Sequence, residues 1–423
     1  MAIVDHPRRV AEEAAPPPTE CRFSAIEPLT WLRGLLPTSL TRSTSPQTRP
    51  LPTTTTDRRR ASIIAASLDQ DAHLSEKIAK QQETGVELAG TAAEGETVLY
   101  LAYGSNLASQ TFRGMRGIKP LSQIPVLVPE LRLTFDLPGI PYAEPCFAGT
   151  QFRDPNAAYD RQIESEDDDT SLLDGEFMPE KELVLVETRE VQRSEASRNR
   201  WHKPLVGVVY EVTLADYAKI IATEGGGRGY RDIVIDCYPF EKDFKPSDPV
   251  PNHPETMPFK AHTLLSPAAD DARKRSEVIK SGDSSVANTS SPSLSVLGDV
   301  GPHMRPDPEY AQPSARYLSL LVKGAAEHEL PVSYQNYLSQ IHPYKITTIR
   351  QNIGKGIFLV VWGPPVLSLL AFSKKFAGPD GRSPPWLVTL SNVVFAAVWS
   401  SYDCFFKRAF GDGERTLEDT PTI

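Results

Sequence analysis

The chain has 423 residues, 45 Lys and Arg against 54 Asp and Glu for a formal net charge of −9, and 38 prolines. Proline at about 9% of residues, where soluble proteins average near 5%, is incompatible with one compact domain of this length, and the acidic balance argues against a general nucleic-acid binder, whose phosphate contacts need clustered Lys and Arg. The four cysteines, Cys21, Cys146, Cys237 and Cys404, lie far apart with no CxxC pair, which excludes a dense disulfide framework and reads as free thiols in a reducing compartment.

Residues 1–92 contain Ala14-Ala15-Pro16-Pro17-Pro18, a Ser, Thr and Pro-rich stretch from Ser43 to Thr56, and the basic run Arg58-Arg59-Arg60, without sustained periodicity. Such a segment buries too little apolar surface to offset the entropy of ordering it, so a disordered tail is expected. Asp5, Glu12 and Glu13 exclude an ordinary secretory signal peptide. Trp31-Leu32-Arg33-Gly34-Leu35-Leu36 has some transit-peptide character, against which Glu20 and Glu27 count.

Order is expected from Thr97-Val98-Leu99-Tyr100-Leu101-Ala102-Tyr103, an apolar, aromatic and β-branched run that stops at Gly104 as a buried strand entering a turn does. Further strands are predicted at 126–128, 131–135, 183–187, 205–212, 231–237 and 261–265, and helices at 214–223, 315–327 and 332–341. Strands dominate and helices close the unit, which predicts an α+β fold built on a small mixed or antiparallel β-barrel with flanking helices, over residues 93–345. Two surface insertions are expected, 154–182 with Glu164-Ser165-Glu166-Asp167-Asp168-Asp169, and 241–310, rich in proline and serine. The acidic run lacks the Gly and Glu of a calcium loop and reads as a solvated charge run, not a metal site.

Residues 346–423 differ in character. Ile357–Phe372 is uncharged but interrupted by Gly363-Pro364-Pro365, which is expected to break it, and Trp386–Phe406 runs 21 residues with Asp403 as its one charge. A membrane span takes about 20 mostly apolar residues, so this region reads either as a membrane hairpin or as helices packed on the domain, and both readings stand open. Lys345, Arg350 and Lys355 precede the first run, Lys374, Lys375 and Arg382 lie between the two, and Lys407-Arg408 follow, so a hairpin would leave five positives on the side of the domain and three in the loop. That bias keeps the domain cytosolic, with Trp362, Trp386 and Trp399 as interface anchors.

The sharpest chemical signal is Tyr103-Gly104-Ser105-Asn106-Leu107. Glycine permits a tight turn and close approach of a ligand, and the successive N–H groups of Gly104, Ser105 and Asn106 can form an anion-binding nest; the plainer reading is a turn or helix cap, since Ser and Asn favour both. The second signal is Thr223-Glu224-Gly225-Gly226-Gly227-Arg228-Gly229-Tyr230-Arg231. Glu224 ends a predicted helix where the dipole disfavours a carboxylate, and Gly225 sits where a left-handed C-cap is expected. A surface glutamate is the usual reading of such a position, but a carboxylate beside glycines is open to substrate and suited to act as a general base. No Gly-Lys-Ser/Thr follows, so the run is not a P-loop.

These two signals together resemble the gamma-glutamylcyclotransferase family. The resemblance extends through Gly207-Val208-Val209-Tyr210-Glu211-Val212, Pro313-Ser314-Ala315-Arg316-Tyr317, Gly324-Ala325-Ala326 and Leu330-Pro331-Val332-Ser333-Tyr334-Gln335, covering about residues 95 to 345. It implies a lyase in which the α-amine of a γ-glutamyl substrate attacks its own γ-carbonyl, expelling an amine and closing 5-oxoproline, without a metal or organic cofactor. Glu224 would be the general acid/base, and Tyr100, Leu101, Ala102, Tyr103, Gly104, Ser105, Asn106 and Tyr317 would bind substrate. The Asn after Tyr-Gly-Ser is similar to the branch acting on γ-glutamyl amino acids more than to the ChaC-type, glutathione-specific branch. The extended chain is similar to fungal members. A different reading is a catalytically silent γ-glutamyl-binding module tethered to a membrane.

Overall fold

The structure is a computed structural model that describes residues 51–84, 96–153, 201–224, 231–265, 305, 307 and 310–416. Its first elements arise where a tail was expected. Thr55 caps α1 (Thr56–Ser62) by accepting from the Arg58 N–H, and α2 (Leu74–Thr84) follows a 3-10 turn at Leu68–Gln70. Leu74 and Ile78 enter the main core. Arg58, from the basic run, donates to Asp69 at 2.6 and 3.0 Å, to the Thr97 carbonyl at 3.1 Å and to Glu211 at 3.2 Å. The tail therefore does not extend to residue 92. Leu51, Leu68, Leu74 and Ile78 are too widely spaced to register as a period, and only the surface that receives them makes them core. Residues 1–50 and 85–95 lie outside the described residues.

β1 (Thr97–Ala102) leads into a single 3-10 turn at Ser105–Leu107, a π-helical turn at Gln110–Met115 and β2 (Ser122–Val128). β3 (Leu131–Ile140) and β4 (Glu144–Phe152) form a separate hairpin whose register shifts between Thr134 and Leu137. β5 (Leu205–Thr213) continues directly into α3 (Leu214–Thr223), whose cap Thr213 accepts from the Asp216 N–H. β6 (Arg231–Pro239) and β7 (Phe259–Leu265) complete a closed barrel in the order β1-β5-β2-β6-β7. Neighbours are antiparallel except where β7 meets β1 in parallel at Tyr100 and His262. In β5, Leu205 to Tyr210 are all buried, because the strand faces the barrel interior on one side and covering elements on the other.

The α+β barrel expectation holds, with two shifts. β7 lies inside the stretch read as an insertion from 241 to 310 and is a barrel strand. β4 has no predicted counterpart: Glu-Pro-Cys-Phe-Ala-Gly-Thr-Gln-Phe carries Pro, Gly and small residues of low β-propensity, and its pairing with β3 makes it a strand. The predicted strand at 183–187, the acidic insertion and the Ser-rich run lie outside the described residues.

α4 (Ala315–Glu327) and α5 (Val332–Gln340) close the barrel unit. α6 (Ile349–Lys375) and α7 (Pro385–Ser401) follow, then a π-helical turn at Tyr402–Phe406 and the short α8 (Lys407–Phe410). Contrary to expectation, α6 runs unbroken through Gly363-Pro364-Pro365. The proline φ is compatible with a helix, and the two lost bonds are those to the carbonyls of Val360 and Val361, both on the exposed flank. A second core gathers Phe358, Val366, Val398, Trp399, Tyr402 and Phe406 around Tyr142 from the β3–β4 turn. The Arg305 guanidinium lies 4.2 Å from the Trp399 ring centroid and pairs with Asp403 and Glu414 at 2.6 Å each. Among the described residues, α6 alone is long and apolar enough to cross a membrane by length and composition; the run from Trp386 to Phe406 is divided between α7 and the π-helical turn. Cys146, Cys237 and Cys404 are free thiols, and Cys404 is exposed.

Candidate active site

β1 delivers its C-terminal end to one mouth of the barrel, and the chain turns there through Tyr103 and Gly104 into the 3-10 turn. α3 ends beside it at Glu224, and α4 presents Tyr317 from the opposite side. Tyr100, Tyr103, Gly104, Ser105, Asn106, Ala148, Glu224, Leu264 and Tyr317 line a small, partly open cleft. Residues more than 200 positions apart thus converge, which linear spacing does not reveal.

Glu224 is held by two donors on one oxygen. The Asn106 Nδ2 donates to its Oε1 at 2.8 Å and the Arg116 guanidinium lies 2.7 Å from the same atom. Among the described residues no hydrogen bond to Oε2 accompanies these two contacts. The two donors also answer the unfavourable position at a helix C-terminus, because the cation and the amide supply the positive potential that the dipole withholds. Glu224 is 17% and Arg116 13% exposed in their side chains, close enough to protein for the pair to be only partly screened. Arg116 also donates to Thr223 Oγ1 at 2.7 Å.

Asn106 is itself buried. Its Nδ2 also donates to the Tyr100 hydroxyl at 3.0 Å, while its Oδ1 has no partner among the described residues. A buried acceptor without a donor marks a place where a ligand N–H can bind.

The tyrosines serve different ends. Tyr103 donates to the Leu264 carbonyl at 2.6 Å and ties β1 to β7. Tyr317 accepts from the Ala148 N–H at 3.0 Å, so its own proton is free to be donated. A Cβ on Gly104 would stand 3.3 Å from that hydroxyl, a tight contact that the phenol could relieve only by shifting a few tenths of an ångström. Burial first, with the Glu224 charge adding to it, pushes the Tyr100 phenol far up; burial does the same to Tyr317 and Tyr103. All three stay protonated at any working pH and remain hydrogen-bond donors.

Of the residues expected to bind substrate, the structure brings Tyr100, Tyr103, Gly104, Ser105, Asn106 and Tyr317 together with Glu224. Leu101 and Ala102 do not belong. Both are buried, paired with Val209 and Val208 of β5, and neither lines the cleft. The N–H groups of Ser105 and Asn106, at the start of the 3-10 turn, have no acceptor among the described residues, as the first turn of a helix requires. The glycine run after Glu224 lies outside the described residues. Arg116, Ala148 and Leu264 had no signal in the sequence: Arg116 is an isolated cation after a π-helical turn, and Ala148 sits on the hairpin strand that was not predicted. Among the described residues, no cluster of three or more His, Cys, Asp or Glu is placed to hold a metal.

Comparison with known proteins bears on this geometry. The chain is 29% identical over 328 residues to the gamma-glutamyl cyclotransferase gliK of Aspergillus fumigatus, spanning 77% of this chain and 93% of the relative. It is a relative of the gamma-glutamyl cyclotransferases. It is also 29% identical over 324 residues to the gamma-glutamyl cyclotransferase aclK of Aspergillus oryzae, spanning 75% of this chain and 90% of the relative. The AclK C-terminal domain family matches residues 348–409, the helical hairpin. A solved gamma-glutamyl cyclotransferase aligns with 60% of this chain and 92% of its own at 15% identity and a TM-score of 0.31, a likeness too low to carry an argument.

Proposed function

We propose that this cyclotransferase converts a γ-glutamyl amino acid or peptide to 5-oxoproline and a free amine, with Glu224 as general acid/base. The observation that carries the reading is the fixed carboxylate: Oε1 bound by Asn106 and Arg116, and Oε2 without an assigned donor, in a cleft shared with the Tyr103–Asn106 turn and Tyr317.

The substrate's α-ammonium donates to Glu224 Oε2 and to the unpartnered Asn106 Oδ1. Glu224 takes one ammonium proton, and the freed amine attacks the γ-carbonyl carbon. A carbon–nitrogen bond forms within the substrate and the carbonyl electrons pass to oxygen; the bond to the departing nitrogen breaks as that nitrogen receives the proton from Glu224 and the oxygen electrons return to re-form the carbonyl, and the second proton on the new ring nitrogen passes to the regenerated Glu224 carboxylate and on to the released amine. The N–H groups of Ser105 and Asn106 hold the α-carboxylate or the developing oxyanion, and the Tyr317 hydroxyl donates to the glutamyl end. The reaction is unimolecular, so curling the glutamyl chain in a small cleft contributes much of the acceleration; oriented cyclisations reach effective molarities of about 10⁵ M or more.

Glu224→Gln tests the assignment. Gln keeps an oxygen for Asn106 and Arg116 and removes the base, so 5-oxoproline release from γ-glutamyl-alanine should fall by about 10² to 10⁴ while the fold is retained. Inactivity of the wild type on all γ-glutamyl substrates would remove the enzymatic reading, and an active variant would remove the role of Glu224.

A further inference from the structure

The hairpin of α6 and α7 has an outer face that is left exposed among the described residues. On α6, Ile353, Ile357 and Val360 recur at i, i+4 and i+7 on one exposed stripe, and Phe372 is exposed farther along the helix; Val360 is 74% exposed. On α7, Trp386, Leu390 and Val393 form a second exposed stripe, with Trp386 at 52%. No charged residue lies in α6 between Lys355 and Lys374 or anywhere in α7, and two apolar stripes this long are unusual on a water-facing surface.

Charge surrounds these stripes with one sign. Residues 349–411 contain seven Lys and Arg against two Asp, in a chain whose net charge is −9. Both aspartates are answered within the protein, Asp403 by Arg305 at 2.6 Å and Asp380 by Arg382 at 3.8 Å. Lys374 and Lys375 are exposed at one end of α6 and Arg350 and Arg408 at the other. An apolar face with a cationic rim complements an anionic lipid surface.

The hairpin is tied to the barrel unit at both ends. At its base the Gln351 side chain donates to the Asp412 carbonyl, and Tyr142 exchanges its N–H and hydroxyl with the carbonyls of Gly413 and Gly411, each at 2.8 Å. At its loop Gly381, with φ +79°, lies against the Ala218 carbonyl of α3, where no Cβ fits, and Arg382 faces Glu76 of α2 at 3.7 Å. A spanning hairpin would carry that loop across about 30 Å of hydrocarbon, whereas here loop and base touch the same folded unit. The hairpin therefore lies alongside the barrel, and its length runs along a surface.

We propose that the outer face of α6 and α7 is a docking site for an anionic membrane surface, on which the hairpin lies in the plane of the interface and does not cross. The inference does not rest on the cyclotransferase reading, and its test reads binding and not turnover.

Sedimentation of the full chain with vesicles of phosphatidylcholine, alone or mixed with phosphatidylserine, tests it. The chain should sediment with the mixed vesicles and be released by alkaline carbonate. Val360→Asp and, separately, Leu390→Asp should each lower the bound fraction about ten-fold, with melting temperatures near wild type because both sites are exposed. Lys374→Glu/Lys375→Glu should weaken binding to the mixed vesicles alone. No sedimentation of the wild type, binding undiminished in both aspartate variants, or resistance to carbonate would overturn the proposal; so would a dimer in light scattering that Val360→Asp dissociates without any vesicle binding, since the face would then be covered by a second copy.

Discussion

Replacing Arg116 by Met separates a carboxylate that is merely present from one that is held. The guanidinium lies 2.7 Å from Glu224 Oε1 and donates to Thr223 Oγ1 at 2.7 Å, and the two charged side chains are 13% and 17% exposed. Exposed pairs contribute about 0–1 kcal/mol and fully buried ones cost about 3–5 kcal/mol when broken, so this half-screened pair should cost about 2 kcal/mol. A loss of that size lowers the melting temperature by about 4–8 °C in a domain of this size. The catalytic effect is separate. Glu224 would remain on Asn106 alone, and an acid/base group misplaced by about 1 Å loses on the order of 10²-fold, so kcat should fall by about 10- to 100-fold with a smaller change in KM. Arg116→Lys keeps a cation and a single donor and should recover part of kcat. The assay is steady-state release of 5-oxoproline alongside thermal melting. Wild-type kcat in Arg116→Met, in a preparation where Glu224→Gln is inactive, would refute the argument that Arg116 positions the base.

Tyr317→Phe removes the acceptor of the Ala148 N–H and the donor offered to substrate; it should cost about 1–3 kcal/mol of stability and about 10²-fold in kcat if the phenol stabilises developing charge, both read by melting and turnover. The buried His262 has acceptors on both ring nitrogens, Asp232 at 3.0 Å and the Leu68 carbonyl at 2.8 Å, so both carry protons. Burial opposes that charge, but the Asp232 bond and charge, the Leu68 carbonyl and Asp69 outweigh it and hold the imidazole above its ordinary value of 6.5. A folded pKa above the unfolded one contributes stability that is full below about pH 6.5 and is lost as pH rises through the folded value. The melting temperature should therefore decline on going from neutral to alkaline pH, and His262→Gln should flatten that decline.

Several features of the fold and site were legible because they are local. The buried strand ending at Gly104, the helix from Leu214 and the turn Tyr103-Gly104-Ser105-Asn106 are carried by neighbouring residues, and a glycine that lets the backbone turn tightly is readable as such. Glu224 was readable from its odd place at a helix end. Leu101 and Ala102 were drawn into the site only by adjacency, and pairing with Val209 and Val208 of β5 buries both away from the cleft lining.

What sequence alone determined is the order of these local elements, the α+β class and the choice of Glu224 and the Tyr103–Asn106 turn as candidate site residues. Tertiary structure decided the rest: that Arg116 and Asn106 meet on one oxygen of Glu224, that residues 51–84 cover the barrel, and that the hairpin loop returns to α3. Local pattern encodes which backbone conformation a segment prefers, whereas these contacts join residues tens to hundreds of positions apart, and only closure of the barrel brings them within hydrogen-bonding distance.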